Sequence, residues 1–142
     1  MVWSAYSTGG VEMFSTAFFF AAASVAFTAF IMHTFTGGVR VARPLLADTT
    51  LPKASKWLNY YCWHITTVFL LAMCASFIYA GFAPSGVDVA ALMTALALVY
   101  ACLSAWVAMK GAIPPLRFPS TWLFAAAAVL GGAGVYFSIV AG

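Results

Sequence analysis

Four apolar stretches separated by short polar or proline-bearing connections organise this chain. They run from about Met13 to Phe35, Trp57 to Phe82, Val89 to Met109 and Thr121 to Ala141, and none contains proline. Each has roughly the 20 residues that cross a hydrocarbon core about 30 Å thick at 1.5 Å of rise per residue. Unpaired backbone groups are too costly in lipid for an open structure, and the alternation of a barrel strand is missing, so the pattern predicts helices. Gly37-Gly38 is expected to stop the first helix and Pro44 to prevent its continuation, leaving residues 36–56 as a polar loop. Thr50 before Leu51-Pro52 marks a helix start, so the second helix is expected to begin in the interface before it enters lipid. Ala83-Pro84-Ser85-Gly86 reads as a tight turn, and Gly111 to Ser120 as a stiff connection with Ser120 capping the last helix. The fold expected is all-α: a single transmembrane domain over residues 1–142, folded as an integral-membrane four-helix antiparallel bundle.

Small residues recur within these stretches at helical spacing. Ala22, Ala26, Ala29 and His33 share a stripe on the first helix. Ala97, Ala101, Ser104 and Ala108 do so on the third, and Ala127, Gly131 and Gly134, beside Ala128 and Gly132, on the fourth. Small residues let backbones approach closely where lipid removes the hydrophobic drive for helix association. These stripes are therefore expected to face the bundle or a partner subunit. Phe18, Phe19, Phe20 and Phe27 cover several faces of the first helix, so some must meet lipid or another protein. Trp57, Tyr60, Tyr61 and Trp63, extended by Trp106 and Trp122, are expected to form an aromatic belt at headgroup level.

Composition turns apolar stretches into membrane spans. Of the 142 residues, 65% are hydrophobic and 6% charged, against about 25% charged in a soluble domain. The charges also set an orientation. Arg40, Arg43, Lys53 and Lys56 lie in the first connection, Lys110 and Arg117 in the third, while Glu12 and Asp88 fall on the opposite side. Short Lys/Arg-bearing loops stay in the cytoplasm, so the expected location is a bacterial inner membrane, with loops 36–56 and 110–120 cytoplasmic and both termini outside. Residues 1–12 carry no positive charge, which argues against a cleavable signal peptide. The basic residues read as topology signals and phospholipid contacts; no basic tract tracks a nucleic acid. Cys62, Cys74 and Cys102 are odd in number, lack metal-type spacing, and read as small core residues.

Candidate chemistry is confined to the two histidines. His33 stands seven residues before Arg40 and His64 eight residues after Lys56, which places both at similar depth on adjacent antiparallel helices, roughly 10 Å inside the basic boundary. Ionisable groups within a membrane are a functional hypothesis by default. The pair is a candidate cofactor-binding site, as axial ligands of a b-type haem or as a hydrogen-bond donor to a quinone carbonyl. A metal is a poorer match, because no carboxylate joins the two nitrogens. The plainer alternative is that His33 bonds a backbone carbonyl or hydroxyl and His64 the facing helix, fixing their register. Glu12 resembles in placement the essential first-helix glutamate of the small multidrug exporters. Its context, Gly9-Gly10-Val11-Glu12-Met13, departs from their pattern, and a helix-start carboxylate favoured by the dipole is the simpler reading. Nucleophile elbows, phosphate-binding glycine loops and His-Glu-x-x-His are absent from the sequence.

The run His33-Thr34-Phe35-Thr36-Gly37-Gly38-Val39-Arg40, then Pro44-Leu45-Leu46, then Trp63-His64-Ile65-Thr66-Thr67, resembles an uncharacterised family of small bacterial four-helix membrane proteins. In that family a first-helix histidine precedes Gly, an acid–basic pair and Pro-Leu-Leu, and Trp-His-x-Thr opens the second helix. The resemblance spans residues 33–67, about a quarter of the chain, and Gly38 stands where the family has its acid. It implies a pairing of His33 with His64 and brings no activity. Three functions are therefore expected in descending order. The first is a non-catalytic accessory or assembly subunit of a larger membrane complex, such as an energy-converting one, partnered by other subunits or by its own copies. The second is a redox component holding haem or quinone through His33 and His64. The third is a small transporter, for which the midplane offers only Ser24, Thr28, Ser76 and Thr94 as polar lining.

Overall fold

The computed structural model describes the backbone of residues 2–142 and the side chains of residues 10–142. Helix α1 spans Val2–Ile31 and passes without interruption into a π-helical segment, Met32–Ala42, and a short α2, Arg43–Ala47. Helix α3 is Lys53–Phe82, α4 is Val87–Lys110 and α5 is Pro119–Ala141, with single 3₁₀ turns at Pro84–Gly86 and Pro115–Arg117. Among the described residues there is no strand. Four rods are long and apolar enough to cross a membrane: Gly10–Ala47, Lys53–Phe82, Pro84–Lys110 and Pro119–Ala141.

The first rod departs from the expected Met13–Phe35. Gly37-Gly38 does not stop it, and much of the loop expected over residues 36–56 is helical. The backbone changes pitch instead: the Arg43 N–H reaches the Gly38 carbonyl, five residues back. Ending a helix leaves four carbonyls without partners, and in an apolar setting a wider helix that still pairs its backbone costs less than a broken one. Pro44 sits in the first turn of α2, where the register returns to i−4 and a missing donor is tolerated. The true turn comes at Asp48, whose carboxylate accepts from the Thr50 N–H (2.6 Å), the Thr50 hydroxyl (2.7 Å) and the Leu51 N–H (3.1 Å). Those three donors, the Thr50 hydroxyl first, hold the Asp48 carboxyl below the usual carboxylate range. Glu12 is not at a helix start either, since α1 begins at Val2, about three turns earlier.

Contacts between distant residues make the bundle antiparallel. The Ser15 hydroxyl, toward the Gly10 end of the first rod, donates to the Gly134 carbonyl in the second half of α5 (3.1 Å). Phe20 meets Phe82 edge-on (5.1 Å between ring centres), and His33 meets Trp63. Helix α5 is the hub, packing closely on both α1 and α4; α1 also packs on α3, and α3 meets α4 more loosely. All six basic residues thus gather at one end, and Glu12 and Asp88 at the other.

The small-residue stripes point inward. Ala22, Ala26, Ala97, Ala108 and Ala127 are fully buried. The largest buried side chains, Phe19, Met73 and Phe77, fill the bundle axis. Phe19 seats at Gly134, where an added Cβ would lie 2.7 Å from its ring, and Phe77 seats at Gly131, where the gap would be 2.8 Å. Glycine is needed there for close approach. Ser104 bonds Ser120 (2.7 Å) and Thr121 (2.9 Å), tying α4 to the start of α5. This overturns the expected capping role of Ser120: Phe118 occupies the cap position without a side-chain bond. Of the three cysteines only Cys74 is buried; Cys62 and Cys102 face outward.

Candidate functional site

The π segment presents His33 toward α3. A π turn widens the helix and appears most often at functional sites. His33 stacks on the Trp63 indole with ring centres 3.9 Å apart and planes 20° off parallel. Its Nε2–H donates to the Trp63 carbonyl (3.1 Å), which also accepts from the Thr67 hydroxyl (3.1 Å). In a neutral ring this leaves Nδ1 as a bare acceptor. Gly37, one turn beyond His33, receives the far edge of the same indole; a Cβ there would lie 2.6 Å from it. Trp63 is therefore clasped between His33 and Gly37, although the expected aromatic belt would have sent it to the headgroups. Trp57 and Tyr61 are exposed as that belt requires, and the Lys110 ammonium lies 5.9 Å above the Trp106 ring.

The two histidines share a neighbourhood but not a cavity. A mostly apolar cavity of about 340 Å³ lies on the His33 side, bordered by Thr36, Arg40, Trp63, Thr66 and Ser120. A groove of about 380 Å³ lies on the other side of Trp63, bordered by Thr34, Arg43, Tyr60, Trp63, His64 and Thr67. His64 is exposed on that groove and packs edge-on against Tyr60, one helical turn earlier, at 4.5 Å between ring centres. A haem iron ligated by both imidazoles needs them on a common axis from opposite faces. Here each ring borders its own cavity and Trp63 borders both, so the donor set does not fit an axial pair. A quinone carbonyl needs one donor beside an apolar slot; the His33 cavity has the slot, and the hydroxyls of Thr36 and Ser120 on its border can donate. Among the described residues no three of His, Cys, Asp and Glu come together.

Hydroxyls divide the molecule in the same way. Ser24, Thr28, Thr66, Thr67, Ser76 and Thr94 each donate to the carbonyl four residues back on their own helix. Thr34, in the π segment, does not. Its hydroxyl is buried without any hydrogen-bond partner. The carbonyl four residues back belongs to Phe30, at the end of α1, and the Thr34 hydroxyl makes no bond to it, so the residue is left unsatisfied where the others are not.

Sequence reasoning found His33 and His64 but missed Trp63, Gly37 and Thr34 as their companions. Gly37 lies four residues after His33, on the same helical face, and that spacing was the available signal. Comparison of the chain with protein-family models, with curated proteins and with solved structures finds no match in any of the three, so the resemblance over residues 33–67 rests on its motif.

Proposed function

We propose that this chain is a non-catalytic accessory or assembly subunit of a larger complex in a bacterial inner membrane, with both termini outside and residues 36–56 and 110–120 on the cytoplasmic side. The observation that supports this reading is the filled axis: Phe19, Met73 and Phe77 occupy the centre of the bundle. A conduction path needs polar groups facing a lumen, whereas the mid-span hydroxyls here are turned back onto their own helices. What remains outward is a surface for packing. At the end remote from the basic residues, Phe14, Phe18, Tyr136 and Phe137 form one run of ring contacts across α1 and α5, with Phe14 and Tyr136 exposed. Exposed aromatic rings are favoured anchors of protein interfaces.

The test is native electrophoresis of mildly solubilised membranes carrying the tagged chain. The expected result is migration with other polypeptides far above the 15.0 kDa of the chain, lost in the double variant Phe14→Ala, Tyr136→Ala. A band containing only this chain, at every detergent strength, would overturn the subunit reading.

A second reading is favoured by the cavity at His33. A membrane redox component would place a quinone head there, with the hydroxyls of Thr36 and Ser120 donating to its carbonyl and His33 Nδ1 accepting from the hydroxyl of the reduced quinol. Quinone extracted with the purified protein, and reduced in amount by His33→Phe, is the expected result. Oxidised and reduced absorption spectra test haem in the same preparation: a Soret band would contradict the two-cavity geometry.

A further inference from the structure

The groove on the His64 side is not used by either reading. It lies between the π segment and the first turns of α3, and its border carries one guanidinium, one imidazole, one phenol and two threonines. No carboxylate borders it. Arg43 is exposed there, and Lys56 nearby is anchored by donating to the Leu46 carbonyl (3.1 Å). A concave surface with a cation, several donors and no acid selects an anion. Tyr60 and His64 pack edge-on at one side of this groove, so their O–H and N–H groups border the same space as the Arg43 guanidinium.

We propose that this groove binds a phosphate group, held by the Arg43 fork and by hydrogen bonds from Tyr60 and His64. The guanidinium fork matches two phosphate oxygens at once, which a point charge does not. The groove lies at the end where all six basic residues gather, the level at which anionic lipid phosphates concentrate if the rods span a membrane. The same chemistry suits a free phosphate compound arriving from the aqueous side. The proposal is independent of the subunit reading, because a subunit and a solitary bundle would bind the group equally.

The full chain in phosphatidylcholine nanodiscs is challenged with phosphatidylglycerol and, separately, with inorganic phosphate, and bound ligand is read by native mass spectrometry. Arg43→Gln is expected to weaken retention about tenfold, the effect of one charge-assisted contact. His64→Phe, which keeps the ring against Tyr60 and removes its N–H, is expected to weaken it about fivefold without loss of the fold. Lys53→Gln, outside the groove, leaves retention unchanged. Retention of phosphatidylglycerol that depends on Arg43 supports the proposal with a lipid headgroup as source; retention of inorganic phosphate with the same dependence supports it with a soluble source. Equal retention by the original chain and Arg43→Gln overturns it, and so does an equal loss in Lys53→Gln, which would mean diffuse charge rather than a site.

Discussion

The first rod contains two kinds of helix in one continuous backbone. Over Val2–Ile31 it is regular; Ala22, Ala23, Ala26 and Ala29 are buried, and Phe19 fills the notch at Gly134. Over Met32–Ala42 it is widened, borders two cavities and holds the orphaned Thr34 hydroxyl and both the stacked His33 and the accommodating Gly37. The difference follows the side chains that lie between the rods. In the middle of the first rod, alanine and glycine let the helices close around Phe19, whereas its outer end at Glu12, Ser15 and Thr16 borders a further cavity of about 470 Å³. In the π segment, the indole of Trp63 lies between the rods, with open space on either side of it. Close packing thus belongs to the middle of the rod and open space to its two ends, set by the size of what lies between the rods.

The largest effect is expected in the tight middle. Gly134→Val places a branched side chain into the Phe19 ring, and overpacking of this kind costs about 3 kcal/mol. Reversible unfolding in mixed micelles with increasing SDS should show it. A variant as stable as the original would mean that α1 and α5 are not closely packed, and the contrast between the halves would disappear.

Trp63→Ala should cost about 2 kcal/mol, below the full value for a buried tryptophan because Trp63 is only half-buried and already borders open space. It should also join the two cavities and free the ring of His33. Broadening of the His33 imidazole resonances in an NMR spectrum, with Gly134-side resonances unmoved, would sharpen the division between the two halves.

Thr34→Val is expected to move stability the other way. It replaces an unsatisfied hydroxyl with a methyl group of the same shape, so the ligand-free protein should gain about 1 kcal/mol. Thr28→Val, which removes a hydroxyl already bonded to the Ser24 carbonyl (2.8 Å), should bring no such gain. Equal effects at both positions would falsify the claim that the π segment alone leaves a polar group stranded.

The smallest effect belongs to the turn that ends the widened half. The Asp48 carboxyl is held below its ordinary range by the Thr50 hydroxyl and the Thr50 and Leu51 N–H groups. A lowered folded-state pKa means that the turn's stabilisation is present above the ordinary carboxyl value of about 3.9 and is lost as pH falls through the lowered one. The amide resonances of Thr50 and Leu51 should therefore shift only at pH below about 4, and Asp48→Asn should abolish the titration.

Much of this architecture was legible beforehand for reasons of period and solvent. The stripe Ala22, Ala26, Ala29 predicted a buried face because small side chains four and three residues apart share one side of a helix, and the same logic found Ala97, Ala101, Ser104 and Ala108. The nearness of His33 to His64 followed from counting residues to the nearest basic side chains. The π segment escaped prediction because glycine pairs and a proline are ordinarily helix-stopping signals, and a change of pitch that keeps the backbone paired has no comparable residue signature. The role of Trp63 escaped because its neighbours Trp57 and Tyr61 obey the headgroup rule, and only the rotation of α3 decides which ring turns inward.

By itself the order of residues determined that four apolar rods form, that their close faces are built of alanine and glycine, and that every cation lies at one end, because each of these depends on spacing along a single helix and on charge counted between helices. Only the tertiary structure decided that the first rod widens rather than stops, that the two imidazoles border different cavities, and that Thr34 is left without a partner. Those outcomes depend on how far apart two helices sit and how each is turned about its axis, and both quantities are set by one large ring meeting one missing Cβ across a gap that no single helix contains.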